Sequence, residues 1–401
     1  MDPSTDAAAW IDSQADALRD LVVRWADINS GTHNLGGQHT LAAVLEEAFA
    51  GLDGDAQRFD SQPETTLDAC GAVVTMPLGP VLSIRKRPEA PMRVLLGGHM
   101  DTVFPADHPF QRCEVLGAAR VRGPGVADMK GGLAVMLTAL RALERSSHAR
   151  EIGWEVLINS DEEIGSPGSR ALFEEAAARN HVGLLFEPAL PGGTFARARK
   201  GSGNFAAVLR GRAVHAGRKF DEGRNALVAA ARFAVALADL SGRRPGLTVN
   251  VARIEGGGPL NIVADLGICR FNVRVQTTDD QGFALGEIQE ALDRVIKDTG
   301  ITATLHGQFS APPKPVDRAG RRLMDLVSSC GQRLGIPVRW EDTGGVCDGN
   351  RLAAAGLANI DTMGVRGDRI HSDQEYLELS SLTERAKLTA TVLIELARGR
   401  G

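Results

Sequence analysis

Three short apolar runs in this chain each lead straight into residues that carry chemistry. Met92-Arg93-Val94-Leu95-Leu96 passes through Gly97-Gly98 to His99 and Asp101. Trp154-Glu155-Val156-Leu157-Ile158 passes through Asn159-Ser160 to Asp161-Glu162-Glu163, and Val182-Gly183-Leu184-Leu185-Phe186 ends at Glu187. Apolar runs of roughly four to eight residues read as buried strands. Helical spacing alternates with them: Leu18, Leu21, Val22, Trp25 and Ile28, then Leu41, Val44, Leu45 and Phe49, then Lys130 to Leu143. This alternation predicts an α/β domain with a mostly parallel central sheet. In such sheets the ligand crevice opens outside the carboxyl ends of the strands, and that is where these polar residues fall.

The pattern changes at Arg199-Lys200-Gly201-Ser202-Gly203. Asn204 to Arg210 reads as a strand and Asn225 to Leu240 as an alanine-rich helix. Leu247 to Ile254 and Asn261 to Val275 read as two more strands, Gly282 to Lys297 as a helix, and Ile301 to His306 as a last strand. The order β-α-β-β-α-β describes a two-layer, ferredoxin-like unit. Ala311-Pro312-Pro313-Lys314-Pro315 follows as an exit linker, and patterns of the first type then resume. A chain of 401 residues exceeds what one core usually serves. The expected division is a larger domain in two parts, 1–200 and 311–401, interrupted by an insertion at 201–310.

Charge and cysteine usage exclude several classes. The formal net charge is -5, against the basic excess expected of a nucleic-acid binder. No apolar run approaches the ~18 residues that span a bilayer. The opening Met1-Asp2-Pro3-Ser4-Thr5-Asp6 lacks the basic and then apolar segments of a secretory signal. Cys70, Cys113, Cys269, Cys330 and Cys347 are scattered and odd in number, with no C-x-x-C. Neither a disulfide framework nor a thiolate zinc site is expected. A cytoplasmic enzyme acting without nucleic acid or membrane is the expectation.

Each chemistry-bearing residue also has an ordinary reading. Asp101, two residues past His99, can fix the orientation and tautomer of a ligating imidazole, or simply neighbour a loop histidine. Asp128, in Gly123-Pro124-Gly125-Val126-Ala127-Asp128-Met129-Lys130-Gly131-Gly132, stands where an N-cap is normal. The glycine spacing there fits neither G-x-G-x-x-G nor the Walker pattern, so a phosphate cradle is not expected. Asp161-Glu162-Glu163 is costly after a buried strand unless something cationic sits among the carboxylates; the alternative is a solvated acidic turn. Glu187 closes an apolar strand, and His371 opens His371-Ser372-Asp373 just past Asn359-Ile360-Asp361-Thr362-Met363. Taken together, His99, Asp128, Glu163, Glu187 and His371 form an oxygen- and nitrogen-rich donor set suited to zinc or a similar divalent ion. If one carboxylate bridges, each of two metals has three protein ligands and a place for water. No H-E-x-x-H segment exists, which excludes the single-zinc helix motif.

The runs G-G-H-M-D-T-V, G-P-G-V-A-D-M-K-G-G, D-E-E-I-G-S, F-E-P and H-S-D resemble, in order and spacing over nearly the whole chain, the family of glutamate carboxypeptidase, acetylornithine deacetylase and succinyl-diaminopimelate desuccinylase, with a texture nearest glutamate carboxypeptidase. The resemblance implies two zinc ions per subunit, with cobalt or manganese as alternatives. His99 and Glu187 would bind one metal, Glu163 and His371 the other, and Asp128 would bridge them. Glu162 would be the general base acting on a metal-bridging water, Asp101 would orient His99, and the Asp128-Met129 peptide would be cis. In Gly211-Arg212-Ala213-Val214-His215-Ala216-Gly217, His215 corresponds to a histidine that reaches across a dimer to stabilise the oxyanion, although Val214 replaces the usual Ser. Asn261 would meet the acyl oxygen. Arg274, helped by Lys200, would clamp the carboxylate of a small substrate. Val346 and Cys347 stand where hydroxyl-bearing residues often line the pocket, so they bear on the substrate more than on the chemistry. The insertion would serve as lid and homodimerisation domain.

The implied activity is cleavage of the amide bond of an N-acyl amino acid or of a C-terminal amino acid. A deacetylase or desuccinylase of amino-acid metabolism is the neighbouring alternative. A catalytically silent metal-binding protein would lack a ligand or base, and none is missing. An aminopeptidase would need an acidic group for a free amine, where Arg274 and Lys200 stand instead. Cys347 as a nucleophile would need a histidine partner that the sequence does not suggest.

Overall fold

The strand Met92–His99 is buried over its last six residues, as its apolar run requires. It lies inside a six-stranded sheet of order Asp55–Phe59, Val81–Lys86, Ile152–Asn159, Met92–His99, Val182–Leu185, Asn359–Ile360. The last four strands are mutually parallel, and Val81–Lys86 runs antiparallel to Ile152–Asn159. The computed structural model from which this is read describes residues 3–399. Register explains the clustering that the sequence hinted at. His99 pairs with Asn159, and Gly97 pairs with both Leu157 and Leu185. Three in-register strands therefore release His99, the Asp161–Glu163 turn and Glu187 at one edge of the sheet.

Helices cover the sheet. Ala15–Ala26 buries Leu18, Val22, Trp25 and Ala26 on one stripe, and Gly131–Glu144 is buried on nearly every side because Ser380–Ala397 packs over it. Truncating a core residue such as Leu140, fully buried, would cost ~2–5 kcal/mol. Two glycines of the 123–132 loop have geometric duties that replace the phosphate reading. Gly125 sits at φ 72°, and a Cβ on Gly132 would lie 2.1 Å from the Phe186 carbonyl oxygen. Only glycine lets this helix approach the strand that carries Glu187.

The segment between the two linkers forms its own four-stranded antiparallel sheet, ordered Thr248–Gly256, Leu266–Val275, Gly201–Arg210, Thr302–Ala311. Helices Ala226–Ala238 and Thr278–Ile296 complete the β-α-β-β-α-β order. Alternation sorts its two faces. Phe205, Ala207, Leu209, Phe271 and Val273 pack with Phe233, Ile288 and Leu292 into a separate core, while Ser202, Asn204, Asn272 and Arg274 face the other way.

Some elements differ from expectation. The strand expected from Asn261 begins only at Leu266, since Pro259 and the preceding glycines hold the chain in a connection. Asp55–Phe59 is mostly exposed and so carried no apolar signal. The sheet joining Glu114–Leu116, Arg120–Arg122, Gly367–Asp368 and Tyr376–Glu378 is made of strands too short to show a period. Among the described residues no helix is long and apolar enough to cross a membrane.

Candidate active site

Asp128 lies between two imidazoles. His99 Nε2 is 3.1 Å from its Oδ1, and His371 Nε2 is 3.2 Å from its Oδ2. It therefore does not cap the following helix. His371 Nε2 also lies 3.1 Å from Glu163 Oε2, and His99 Nε2 lies 3.8 Å from Glu187 Oε2. The Asp128-Met129 peptide is cis. The two imidazoles differ in setting: the His99 side chain is 0% exposed, whereas that of His371 is 51% exposed and stands in a loop at φ 62°.

A second layer of bonds fixes this arrangement. His99 Nδ1 faces the Asp101 backbone oxygen at 3.1 Å and the Asp101 carboxylate at 3.3 Å. The same carboxylate accepts from the backbone N–H groups of Glu162 and Glu163, each at 3.2 Å, and from the Thr32 hydroxyl at 2.8 Å. Asp101 thus holds the imidazole and the acidic turn together. Glu375, which the sequence gave no reason to single out, accepts from the N–H groups of Gly125, Ala127 and Asp128 at 2.9–3.1 Å and so anchors the loop that presents Asp128. The three consecutive acids separate. Asp161 turns inward to Ser169 and to the Gly168 and Ser169 N–H groups, while Glu162 and Glu163 line the cavity.

The electrostatics call for a cation. Burial, with Glu187, Asp348 and Glu163 nearby, pushes Glu162 well above the usual carboxyl range. Burial and Asp128 push Glu163 up to about 7. Burial opposes charge on His99, but Asp101, Asp128 and Glu187 outweigh it and raise the imidazole well above its ordinary value. Hydrogen bonds to Asp128 and Glu163 raise His371 to about 10. Burial opposes charge on Asp128, but the two imidazoles outweigh it and hold its carboxyl well below the usual carboxylate range, while Glu162 and Glu163 are penalised. A cluster that stabilises positive charge beside crowded carboxylates suits divalent metal. One ligand atom each from His99, Asp128 and Glu163 lies within 4.8 Å of the others, and the same holds for His99, Glu162 and Glu187. The donor set therefore fits metal, and Glu162 stands within ligand reach as well as base reach.

A cavity of ≈ 490 Å³ opens over this cluster. Asp128, Glu162, Glu163, Glu187 and His371 form one wall, with His99 buried beneath it. Further wall residues come from the inserted sheet, where Ser202 pairs with Arg274 and Asn204 with Asn272 in register. Arg274 donates from Nε to Asn272 Oδ1 at 2.9 Å and from Nη1 to the Gly344 oxygen at 3.3 Å. Val346 and Cys347 also line the cavity; burial pushes the Cys347 thiol well up, against a nucleophilic role. Three residues singled out from the sequence lie outside this wall. Lys200 Nζ donates to the Gly246 oxygen at 2.7 Å, and it is the neighbouring Arg199 that borders the cavity. His215 and Asn261 are exposed. They are held near each other by the His215–Ile262 bridge and by the Ala216 N–H donating to the Asn261 oxygen at 2.8 Å.

A cavity lined from the edge of the main sheet and from the inserted sheet thus lies over a cluster of groups that could hold a metal ion, and known proteins give this arrangement a family. Residues 95–395 match the profile of Peptidase family M20/M25/M40. The chain is 30% identical over 321 residues to carboxypeptidase G2 of Pseudomonas sp. (strain RS-16), covering 77% of this chain and 74% of that protein. It is 28% identical over 334 residues to succinyl-diaminopimelate desuccinylase 1 of Alteromonas mediterranea, covering 77% and 83%. The solved M20 family metallo-carboxypeptidase Sso-CP2 from Sulfolobus solfataricus shares the fold, with a TM-score of 0.75 at 15% identity over 95% of this chain and 99% of that one. The chain belongs to Peptidase family M20/M25/M40 and is a metallohydrolase.

Proposed function

We propose that this enzyme cuts an amide bond beside a free carboxylate, using two zinc ions held by His99, Asp128, Glu163, Glu187 and His371. The observation that carries the reading is that Glu162, Glu163 and Arg274 line one and the same cavity. An arginine fork matches a carboxylate, and the cavity is of small-molecule size. Bound metals would polarise the acyl oxygen and acidify water. Glu162 accepts a proton from the attacking water on its carboxylate and later passes it to the leaving nitrogen. Its raised proton affinity suits that exchange. Asp101 keeps the imidazole of His99 and the turn bearing Glu162 in register. The guanidinium of Arg274 holds the substrate carboxylate, and Val346 and Cys347 shape the far end.

His215 and Asn261 are exposed on the insertion, a placement that suits a homodimer in which the partner subunit's His215 donates to the developing oxyanion. The division at 1–200, 201–310 and 311–401 belongs to the same proposal, and the five unpaired cysteines favour a cytoplasmic setting.

The likeness to a desuccinylase supports a second reading, in which the molecule cleaved is an N-acyl amino acid recognised by its acyl group. A screen of N-acetyl, N-succinyl and N-aroyl amino acids against dipeptides, with zinc, cobalt and manganese reconstitution, separates the two. Turnover of the free acids far above that of their carboxamides is expected. Equal turnover of acid and carboxamide would overturn the carboxylate reading.

A further inference from the structure

The chain crosses between its two units twice, at Arg199–Lys200 and at Pro312–Lys314. The crossings are paired with each other: the Arg199 N–H donates to the Lys314 oxygen at 3.0 Å, and the Lys314 N–H to the Arg199 oxygen at 2.9 Å. The side chains of the same two residues converge on one carboxylate. Asp361 Oδ1 and Oδ2 accept from Arg199 Nη2 and Nε, each at 2.8 Å, and Oδ2 accepts from Lys314 Nζ at 2.7 Å. Lys314 Nζ also reaches Asn359 Oδ1 at 2.8 Å. Asp361 is fully buried, just past the edge strand of the main sheet, and these two cations hold it far below the usual carboxylate range despite its burial.

A second buried side chain grips the crossings by their backbones. Asn350 is 0% exposed, and its Nδ2 donates to the Lys200 oxygen at 2.9 Å and to the Pro312 oxygen at 2.7 Å. Its Oδ1 accepts from the Cys347 N–H at 3.2 Å, and Arg199 Nη1 donates to the Gly345 oxygen at 3.3 Å. The crossings are thereby tied to the loop that lines the cavity. Gly201 begins the strand whose Ser202 pairs with Arg274, so the tie lies next to residues that line the same cavity as Glu162 and Glu163.

We infer that Asp361 and Asn350 are positioning residues that clamp both crossings and so set where Arg274 stands relative to Glu162. A bidentate buried ion pair and a doubly bonded amide define one orientation well, and removing one partner leaves buried groups unpaired. The inference rests on the reading of Arg274 as the carboxylate clamp. Neither residue lines the cavity, so the clamp would act through the residues it positions, Arg274 above all.

The test compares an N-acyl amino acid with its carboxamide in Asp361→Asn, Asn350→Ala, Arg274→Ala and the two double variants with Arg274→Ala. Asp361→Asn is expected to raise KM for the acid roughly tenfold, to change kcat/KM for the carboxamide less than about twofold, and to add little in the Arg274→Ala background. Metal content should equal that of wild type. Asn350→Ala should show the same pattern and carries the test alone if Asp361→Asn does not fold. Equal losses on acid and carboxamide, additive losses with Arg274→Ala, or loss of metal would overturn the clamp. If Arg274→Ala itself leaves KM for the acid unchanged, the carboxylate reading falls and the clamp with it. If Arg274→Ala raises KM while both clamp variants match wild type, only the clamp falls.

Discussion

The edge of the main sheet and the inserted unit hold their functional residues in different ways. At the sheet edge, His99, Asp128 and Glu187 are buried and fixed by parallel register, by Asp101 and by Glu375. On the insertion, Arg274 reaches the cavity across a packed sheet face, but His215 and Asn261 stand exposed outside it. His99 and Glu187 are pre-set by the strands they end or follow and Asp128 by its loop's bonds to Glu375, whereas residues that would meet the substrate depend on how the insertion is placed. Preorganisation is therefore a property of one region, and placement a property of the other.

Experiments that break one region without the other sharpen this contrast. The largest effect is expected at the sheet edge. Asp128→Asn weakens a group shared by both imidazoles, and turnover should fall by more than about a thousandfold together with metal content, read by elemental analysis. A variant that kept its metal and its activity would remove Asp128 from the centre. His215→Ala should lower turnover roughly a hundredfold with metal content intact; loss of metal instead would place it in the metal site. The smallest effect lies in the insertion's own stability. Thr277 accepts from the Asp280 N–H at 3.2 Å, and Asp280 accepts in turn from the Thr277 N–H at 3.1 Å. Thr277→Ala should cost ~1 kcal/mol, seen as a lower unfolding midpoint, with turnover per folded enzyme unchanged. A drop in turnover at full folding would mean that the helix Thr278–Ile296 does more than support its sheet.

What could be read from the sequence follows the same division. The apolar runs ending at His99, Glu163 and Glu187 announced both the strands and the cluster, because buried parallel strands have a compositional signature and the crevice lies at their ends. The β-α-β-β-α-β order showed through periodicity. Glu375 did not, since its partners at Gly125 to Asp128 lie about 250 residues away and a carboxylate after a turn carries no pattern. Asn272 was hidden in a strand where alternation gives the face but not the partner. Arg199, Lys314 and Asp361 each lay in segments noted for other reasons, as a change of pattern, an exit linker and the run before His371, and only the tertiary fold brings them together. Lys200 was the natural choice beside Arg199, but it stands between two strands and its amine turns to the Gly246 oxygen, leaving Arg199 at the cavity.

The role of Glu162 tests the account most directly, because its carboxylate lies within ligand reach of His99 and Glu187 while the proposed chemistry needs it free to carry a proton. Metal content and turnover of Glu162→Ala, measured on the same preparation, decide between the two roles. The account predicts two zinc ions per chain, as in wild type, with turnover reduced by a hundredfold to ten-thousandfold, on the order expected for a lost general base. Retention of only one metal, or turnover near that of wild type, would contradict it.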